Sequence, residues 1–428
     1  MILLRRNILI CAHELSPYQG SECAEGWNTV INLSKFHNLY VIYASGSQKS
    51  PLSYKDAIDD FKKYKSISNH IKFYNVNQPK LTLLLSKLNY LISKKNSTIG
   101  NPILYFMGYR LWHINAYKKA KEILITEKID LVHFLNSITF REPGYLWKLN
   151  LPYVWGPIGG LSSLPPSYLK TLRFNDRLLQ NIRQLYINFE FKNNRIKVAT
   201  KKADLIYTFS NYDQIKFIEL GAKKVLNLLD SGTTYLNLPI RNIDNKIIVL
   251  WAGQFVKRKA FNILLDSVLK LPTNIKNKFE FQILGNGILY DYYVKKINDL
   301  NLSNLFYFKG EKNREELFEI MKICDLLVHT SYREATTNII PEALSYNLPV
   351  VCHDISGMSI AINETCGYKI PLINEDHSII SLSNFLIKIA EDDNLLINLK
   401  FGAKKRSSEI SWFNNAYNIS EEYKKIIN

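Results

Sequence analysis

Short apolar runs recur along the chain, separated by longer segments whose apolar positions return every three or four residues. The runs at 7–12, 39–43, 71–76, 131–134, 153–155 and 205–208 predict strands in the first half, and those at 246–251, 279–284, 306–308, 326–329 and 349–352 in the second. Between them, 21–34, 116–126, 260–270, 314–322 and 338–345 carry the period of a helix. Short, mainly apolar strand runs alternating with amphipathic helices indicate an α/β fold with parallel sheets. A polar stretch at 232–245, containing Pro239, breaks the pattern in the middle. It divides the chain into two Rossmann-like domains, 1–232 and 233–405, expected to face a cleft. The last stretch, 395–428, reads as helical with Trp412 and Tyr417 as anchors, and its end from about 406 is expected to pack back on the first domain. Ligands of open α/β sheets bind at the carboxyl ends of the strands, so the cleft is the expected site.

Composition narrows the class. The chain has 428 residues, 46% of them hydrophobic, which suits two domains and excludes bulk disorder. No apolar stretch reaches the ~18 residues of a membrane span. The nearest, 81–92, is interrupted by Lys87, and the run 7–12 is too short for a signal-peptide core and leads into His13 and Glu14. The expectation is a soluble cytoplasmic protein. Five cysteines, at 11, 23, 324, 352 and 366, form no Cys-x-x-Cys pair, so they read as small buried apolar residues and not as a disulfide or zinc framework.

Charge changes the picture for one half. The net charge is +17, yet residues 231–428 carry 23 basic and 22 acidic side chains, which leaves +16 on residues 1–230. The stretch 61–121 holds twelve Lys and Arg and no acid, and 165–203 holds nine basic residues and two acids. Such asymmetry implies a polyanionic partner. Leu, Tyr, Phe and Trp112 interleave with these lysines, which suits an anionic membrane surface better than a nucleic-acid groove. No zinc finger, RNP-type motif or basic-zipper heptad supports nucleic acid. A solvated basic face is the plainer alternative.

Candidate chemistry concentrates in 324–351, which reads strand, loop, helix, strand. Glu334 falls in the loop and Glu342, after Pro341, in the first turns of the helix. Thr336, Thr337 and Asn338 are N-cap candidates. A helix N-terminus offers free N–H groups to a phosphate, and carboxylates beside it can grip sugar hydroxyls. On spacing alone, Glu334 also reads as a solvated loop residue and Glu342 as an ordinary first-turn charge.

Glu334 and Glu342 form a Glu-x7-Glu arrangement, flanked by DLLVHTS (325–331) and EALSYNLPVV (342–351). In order along the chain stand PYQGSECAEGW (17–27), WGPIGG (155–160), WAGQFVKRKAF (251–261) and LGNG (284–287). Together these resemble the motifs of retaining family-4 glycosyltransferases, which have the GT-B fold of two Rossmann-like domains facing a cleft. The apolar, acid-free stretch 61–121 leads to the expectation of a surface-glycan or polyprenyl-lipid-linked acceptor. The resemblance implies a sugar transferred from a nucleotide diphosphate donor, with no metal and no cofactor. It implies that Glu334 binds the transferred sugar and that Lys259 neutralises the diphosphate. Glu342 would hold the ribose hydroxyls. Gly253, Gln254, Arg258, Gly285, Gly287, Thr336, Thr337 and Asn338 would line the donor site, with Gly20 and Ser21 bringing backbone N–H groups to the diphosphate. Gly156, Gly159, Gly160 and His133 would belong to the acceptor side or the cleft. The protein would then work in the cytoplasm, at the inner face of a membrane.

The chain departs from that pattern at several positions. Gln254 stands where the family has Arg, leaving Arg258 or Lys257 to supply the charge. Ala260 and Ala335 replace glycines, and Trp155, Gly156 and Pro157 occupy the place of a family His. These departures keep a non-catalytic nucleotide-sugar-binding protein in view, alongside another GT-B enzyme such as an epimerase or a phosphorylase. Asp-x-Asp, Walker A, Gly-x-Ser-x-Gly and His-Glu-x-x-His are all absent from the sequence, which argues against metal-dependent GT-A transferases, P-loop enzymes, serine hydrolases and zinc proteases.

Overall fold

The computed structural model describes residues 5–20, 22–46, 52–93, 100–171, 174–243, 245–334 and 337–428. The chain forms two compact units. One comprises 1–162, 185–231 and 412–428, and the other 163–184 and 232–411. The segment 163–184 therefore belongs with the second unit, and the chain re-enters the first at Trp412.

In the first unit, seven strands form one sheet: β1 (Asn7–Ala12), β2 (Asn38–Ala44), β3 (Ile71–Val76), β4 (Leu131–Asn136), β5 (Tyr153–Ile158), β6 (Leu205–Thr208) and β7 (Val225–Asn227). Their order is β3-β2-β1-β4-β5-β6-β7, and every pairing is parallel. Both faces are covered, which is why the strands are apolar at nearly every position. Ile8, Ile10 and Ala12 of β1 face Trp27 and Val30 of the helix Glu22–Leu33 and Ala416, Ile419 and Tyr423 of the helix Trp412–Ile427. Leu9 and Cys11 face the other way, into a core with Trp112, Ala116, Ala120 and Ile123 of the helix Pro102–Thr126. The period of two along the strand assigns each side chain to one core.

The second unit repeats the plan with β8 (Ile247–Ala252), β9 (Phe279–Leu284), β10 (Phe306–Gly310), β11 (Leu326–His329), β12 (Val350–His353) and β13 (Gly367–Ile370). Their order is β10-β9-β8-β11-β12-β13, again all parallel. Its core holds Trp251, Phe255, Phe261, Phe279 and Phe281. An ion-paired group lies beneath: Asp325 accepts from Lys400 at 2.6 Å and Arg241 at 2.5 Å and also caps the N–H of Ile248 at 2.8 Å.

Two expectations need correction. The C-terminal helix expected from about 406 begins at Trp412 and runs to Ile427, after a separate helix Asp393–Glu409. Thr233 donates its N–H to Ile410 O at 3.2 Å and its hydroxyl to Ser407 O, which draws those carbonyls away from helix continuation. The helix 116–126 is the end of one that begins at Pro102. All five cysteines are buried and unpaired by disulfides.

Candidate functional site

Strand order reverses between β8 and β11, so the loops leaving these neighbours part to opposite sides and open a crevice at their carboxyl ends. Most candidate residues of the second unit lie on these two loops and at the start of the helix Ile339–Ser345; Gly285 and Gly287 lie on the loop after β9. After β8 the chain passes Gly253 and Gln254, makes a 3₁₀ turn at Lys257–Lys259, and enters the helix Phe261–Leu269 through Ala260. Ala260 holds a left-handed conformation (φ 47°, ψ 49°), the backbone state a glycine adopts without penalty. After β11 come Thr330, Ser331 and Glu334.

The two loops are laced together. Thr330 donates to Lys259 O at 2.8 Å and accepts from Trp251 Nε1 at 3.0 Å. Ser331 donates to Arg258 O at 3.0 Å, and the Tyr332 N–H meets the same carbonyl at 3.1 Å. This frame brings three side chains onto one oxygen. Glu334 Oε1 lies 2.6 Å from Lys259 Nζ, 2.5 Å from an Arg258 nitrogen and 2.9 Å from the Ser331 hydroxyl. Burial pushes the Glu334 carboxyl up, but Lys259 and Arg258 outweigh it and hold the group below the usual carboxylate range. Burial, helped by Arg258, lowers the Lys259 ammonium. Of the two replacements for the missing arginine, Arg258 joins the cluster. Lys257 instead pairs with Asp176 at 2.9 Å, and Gln254 is exposed.

Glu342 sits in the first turn of the helix Ile339–Ser345, its Oε1 2.7 Å from Arg314. Burial raises its carboxyl above the ordinary value, with Arg314 opposing. Asn338 occupies the N-cap position but is in helical backbone conformation and makes no side-chain cap bond, contrary to its reading as a capping residue; Thr337 accepts from the Ile340 N–H at 3.2 Å through its backbone oxygen. Thr336, like Ser21 and Ala335, lies outside the described residues.

Gly285 and Gly287 are explained by packing between loops. A β-carbon on Gly285 would stand 1.9 Å from Gly253 O, and one on Gly287 2.8 Å from the Phe255 backbone. The glycines let the loop after β9 lie against the loop that carries Lys259.

In the first unit the order reverses between β1 and β4. Gly20 is exposed, and a β-carbon there would meet nothing within 4 Å. Gly156 (φ 116°) packs against Tyr207 O, Gly159 against the Phe209 ring, and Gly160 (φ 101°) faces open space. His133 is not placed to reach a ligand. It is fully buried, with Nδ1 at 2.5 Å from the Tyr423 hydroxyl and Nε2 at 2.6 Å from Gly156 O. Burial lowers its pKa to about 4, so a neutral ring ties β4, β5 and the C-terminal helix together.

Several residues of interest have no simple sequence signal. Glu14, just after β1, gathers Tyr54, Tyr109 at 3.2 Å, Cys23 at 3.4 Å and His13 at 3.1 Å around its carboxylate. Burial raises that carboxyl, and the contacts with His13, Tyr54 and Cys23 bring it down to about 2. The nearby Glu22 is pushed up to about 8 by burial and by Glu14 and Asp230. Glu14 follows a switch-point strand, and Glu22 lies within the 17–27 motif, at the start of the helix Glu22–Leu33. Arg314 and the buried His329, lowered to about 3 by burial and Lys259, were missed in the second unit.

Residues 238–406 match a family model described as glycosyl transferases group 1. An uncharacterised glycosyltransferase of Methanocaldococcus jannaschii is 25% identical over 324 residues, 73% of this chain and 80% of that protein. A Campylobacter jejuni N-acetylgalactosamine-N,N'-diacetylbacillosaminyl-diphospho-undecaprenol 4-alpha-N-acetylgalactosaminyltransferase is 26% identical over 226 residues, 50% of this chain and 58% of the relative. The structure of Anabaena HepE, solved with UDP-glucose, superposes with a TM-score of 0.57 at 16% identity, covering 98% of this chain and 99% of that one. The fold is GT-B, and the matches together support a glycosyltransferase.

Proposed function

We propose that the protein is a retaining, metal-independent glycosyltransferase of family 4. It transfers a hexose-type sugar from a nucleotide diphosphate donor to a surface-glycan or polyprenyl-lipid-linked acceptor. The observation that carries this reading is the convergence of Lys259 and Arg258 on Glu334 at the switch point of the second sheet. Transfer breaks the bond between C1 of the sugar and the phosphate oxygen, and the diphosphate leaves with the electron pair. Lys259 and Arg258 stabilise the charge that develops there. Glu334 orients the sugar through its hydroxyls, and Glu342 accepts from the ribose. The acceptor hydroxyl passes its proton to the departing phosphate oxygen as its own oxygen bonds to C1 on the face the phosphate vacates, which gives retention.

UDP-glucose in the Anabaena neighbour supports a nucleotide sugar as donor, and the undecaprenol-linked substrate of the Campylobacter relative supports a lipid-linked acceptor. The lipid-linked acceptor of this reading places the protein at the surface of a membrane, on the cytoplasmic side; no helix among the described residues is long and apolar enough to cross one. Gln254 in place of the family Arg favours one rival, a protein that binds the donor without turning it over.

A thermal-shift panel of nucleotide diphosphates and their sugars, followed by acceptor-dependent release of the diphosphate with chelator present, tests the reading. Stabilisation by one base and acceptor-dependent release are expected. Binding without release would establish the rival. Conversion of the sugar without acceptor would show an epimerase, and no shift with any nucleotide would end the donor assignment.

A further inference from the structure

The helix Lys80–Ile92 is inside out. In a surface helix the apolar stripe faces the core and the polar face meets water. Here Leu81, Leu84, Leu88, Leu91 and Ile92 lie within about 100° of one another on the helical wheel, at ~100° per residue. They are 51, 61, 44, 74 and 55% exposed. The face turned inward is centred on small and polar groups, Thr82 and Asn89, with Leu83 and Leu85 half-buried at its edges. Thr82 donates to Gly108 O of the helix Pro102–Thr126 at 3.2 Å, and Asn89, the one buried residue, accepts from the Asn101 N–H at 2.6 Å. A β-carbon on Gly108 would sit 3.3 Å from Thr82, so the two helices pack closely through small groups. Ile103 and Met107 of the second helix are also exposed, at 59 and 46%.

Folding therefore leaves a contiguous row of leucines in water although the packing of this helix does not require it. Patches of this kind mark a surface that binds something apolar. Charge says what. Lys80 and Lys87 project beside the leucine stripe, both exposed and neither with an acidic partner among the described residues. The whole stretch 61–121 contains no Asp or Glu. An apolar stripe flanked by unpaired lysines, with no acid to repel phosphate, fits an anionic bilayer. The stripe enters the headgroup boundary while the ammonium groups stay among the phosphates.

We infer that the helix Lys80–Ile92 is a monotopic membrane-docking element that lies in the plane of an anionic bilayer with Leu81, Leu84, Leu88, Leu91 and Ile92 inserted. The inference deepens the membrane-surface part of the proposed function and rests on it for its purpose, since a lipid-linked acceptor is presented at that surface. A second copy of the chain is the competing occupant, and the test separates the two.

The experiment is flotation of the full chain with vesicles of phosphatidylglycerol and phosphatidylcholine, or of phosphatidylcholine alone, at low and physiological salt. Wild type should float with the anionic vesicles, less so as salt rises. Leu84→Glu/Leu88→Glu should lower the partition coefficient about 100-fold or more, because it removes two inserted side chains and adds two anions. Lys80→Ser/Lys87→Ser should lower it about 25-fold, at ~1 kcal/mol or about five-fold per basic residue, and only on the anionic vesicles. Phe401→Glu, an equally exposed apolar position of the other unit, should leave flotation unchanged. Wild type that stays down at low salt, or a leucine variant that floats as well as wild type, overturns the proposal. So does a concentration-dependent dimer by light scattering that the leucine substitutions dissolve. Nucleotide-induced thermal shifts on the same proteins report the donor site separately, so a failed donor assignment and a failed docking helix give different results.

Discussion

Glu334 occupies two cations in the free protein, and its removal should have opposite effects on stability and on diphosphate binding. In Glu334→Gln the side chain keeps its size and one oxygen, while Lys259 and Arg258, at 2.6 and 2.5 Å, lose the negative charge that pairs with them. Breaking a buried ion pair by deleting one partner costs about 3–5 kcal/mol. The Glu334 and Lys259 side chains are 14 and 12% exposed and Arg258 37%, so the low end, about 3 kcal/mol, is expected. At roughly 2–4 °C per kcal/mol for a domain of this size, the transition of the second unit falls by about 6–12 °C in calorimetry. UDP lacks the sugar that Glu334 would hold, so the variant loses no contact to it and offers it two uncompensated cations. UDP should close about half of the stability gap to wild type and bind the variant about ten-fold more tightly than wild type, a gain of ~1.4 kcal/mol. Sugar transfer should fall in the same protein. Acid provides a second arm. The folded carboxyl lies below its ordinary 4.5, so its contribution is present above that value and is lost as pH falls through the folded one. The variant should lack this part of the acid limb. A variant as stable as wild type, or one that binds UDP more weakly, would refute the claim that an ionised Glu334 neutralises the phosphate-binding cations in the free state.

Three further outcomes are expected. Glu342→Gln should stabilise the ligand-free protein by about 0.5–1 kcal/mol at neutral pH while weakening UDP at least about ten-fold, read by thermal shift with and without nucleotide. Its folded carboxyl lies above 4.5, so the stability due to its protonated form is present below that value and is lost as pH rises through the folded one. Gly285→Ala should cost about 3 kcal/mol or more in urea unfolding, because its β-carbon meets Gly253 O at 1.9 Å and φ is 123°; a smaller loss would mean the two loops are free to part. His133→Ala should cost about 2–4 kcal/mol by leaving a cavity and stripping the partners of Gly156 O and the Tyr423 hydroxyl. Nucleotide affinity per folded molecule should not change, and a selective loss of affinity would restore His133 as a ligand contact.

The fold class was legible in the sequence because strands buried on both faces must be apolar at consecutive positions, a local signal that survives without any knowledge of partners. Glu334, Glu342 and Lys259 stand out in the sequence only through the resemblance of the motifs around them, because spacing alone leaves the two glutamates as ordinary loop and first-turn charges. β7, of three residues, was too short to carry a period, and β13, GYKI, is broken by Gly367 and Lys369 and only half-buried at its centre. Tertiary structure alone decided between Arg258 and Lys257. They are adjacent in sequence, and the tight turn before Ala260 sends one to Glu334 and the other to Asp176. Only the structure showed that His133 is held by Tyr423, 290 residues away, and that Glu14 has Tyr109 for a partner. The helix Lys80–Ile92 makes the distinction plainest. Its two faces were already written in the spacing of leucines, threonine and asparagine, but which face turns inward depends on Gly108 of another helix. Periodicity is set by neighbours in the chain, whereas burial is set by whatever the rest of the fold brings alongside.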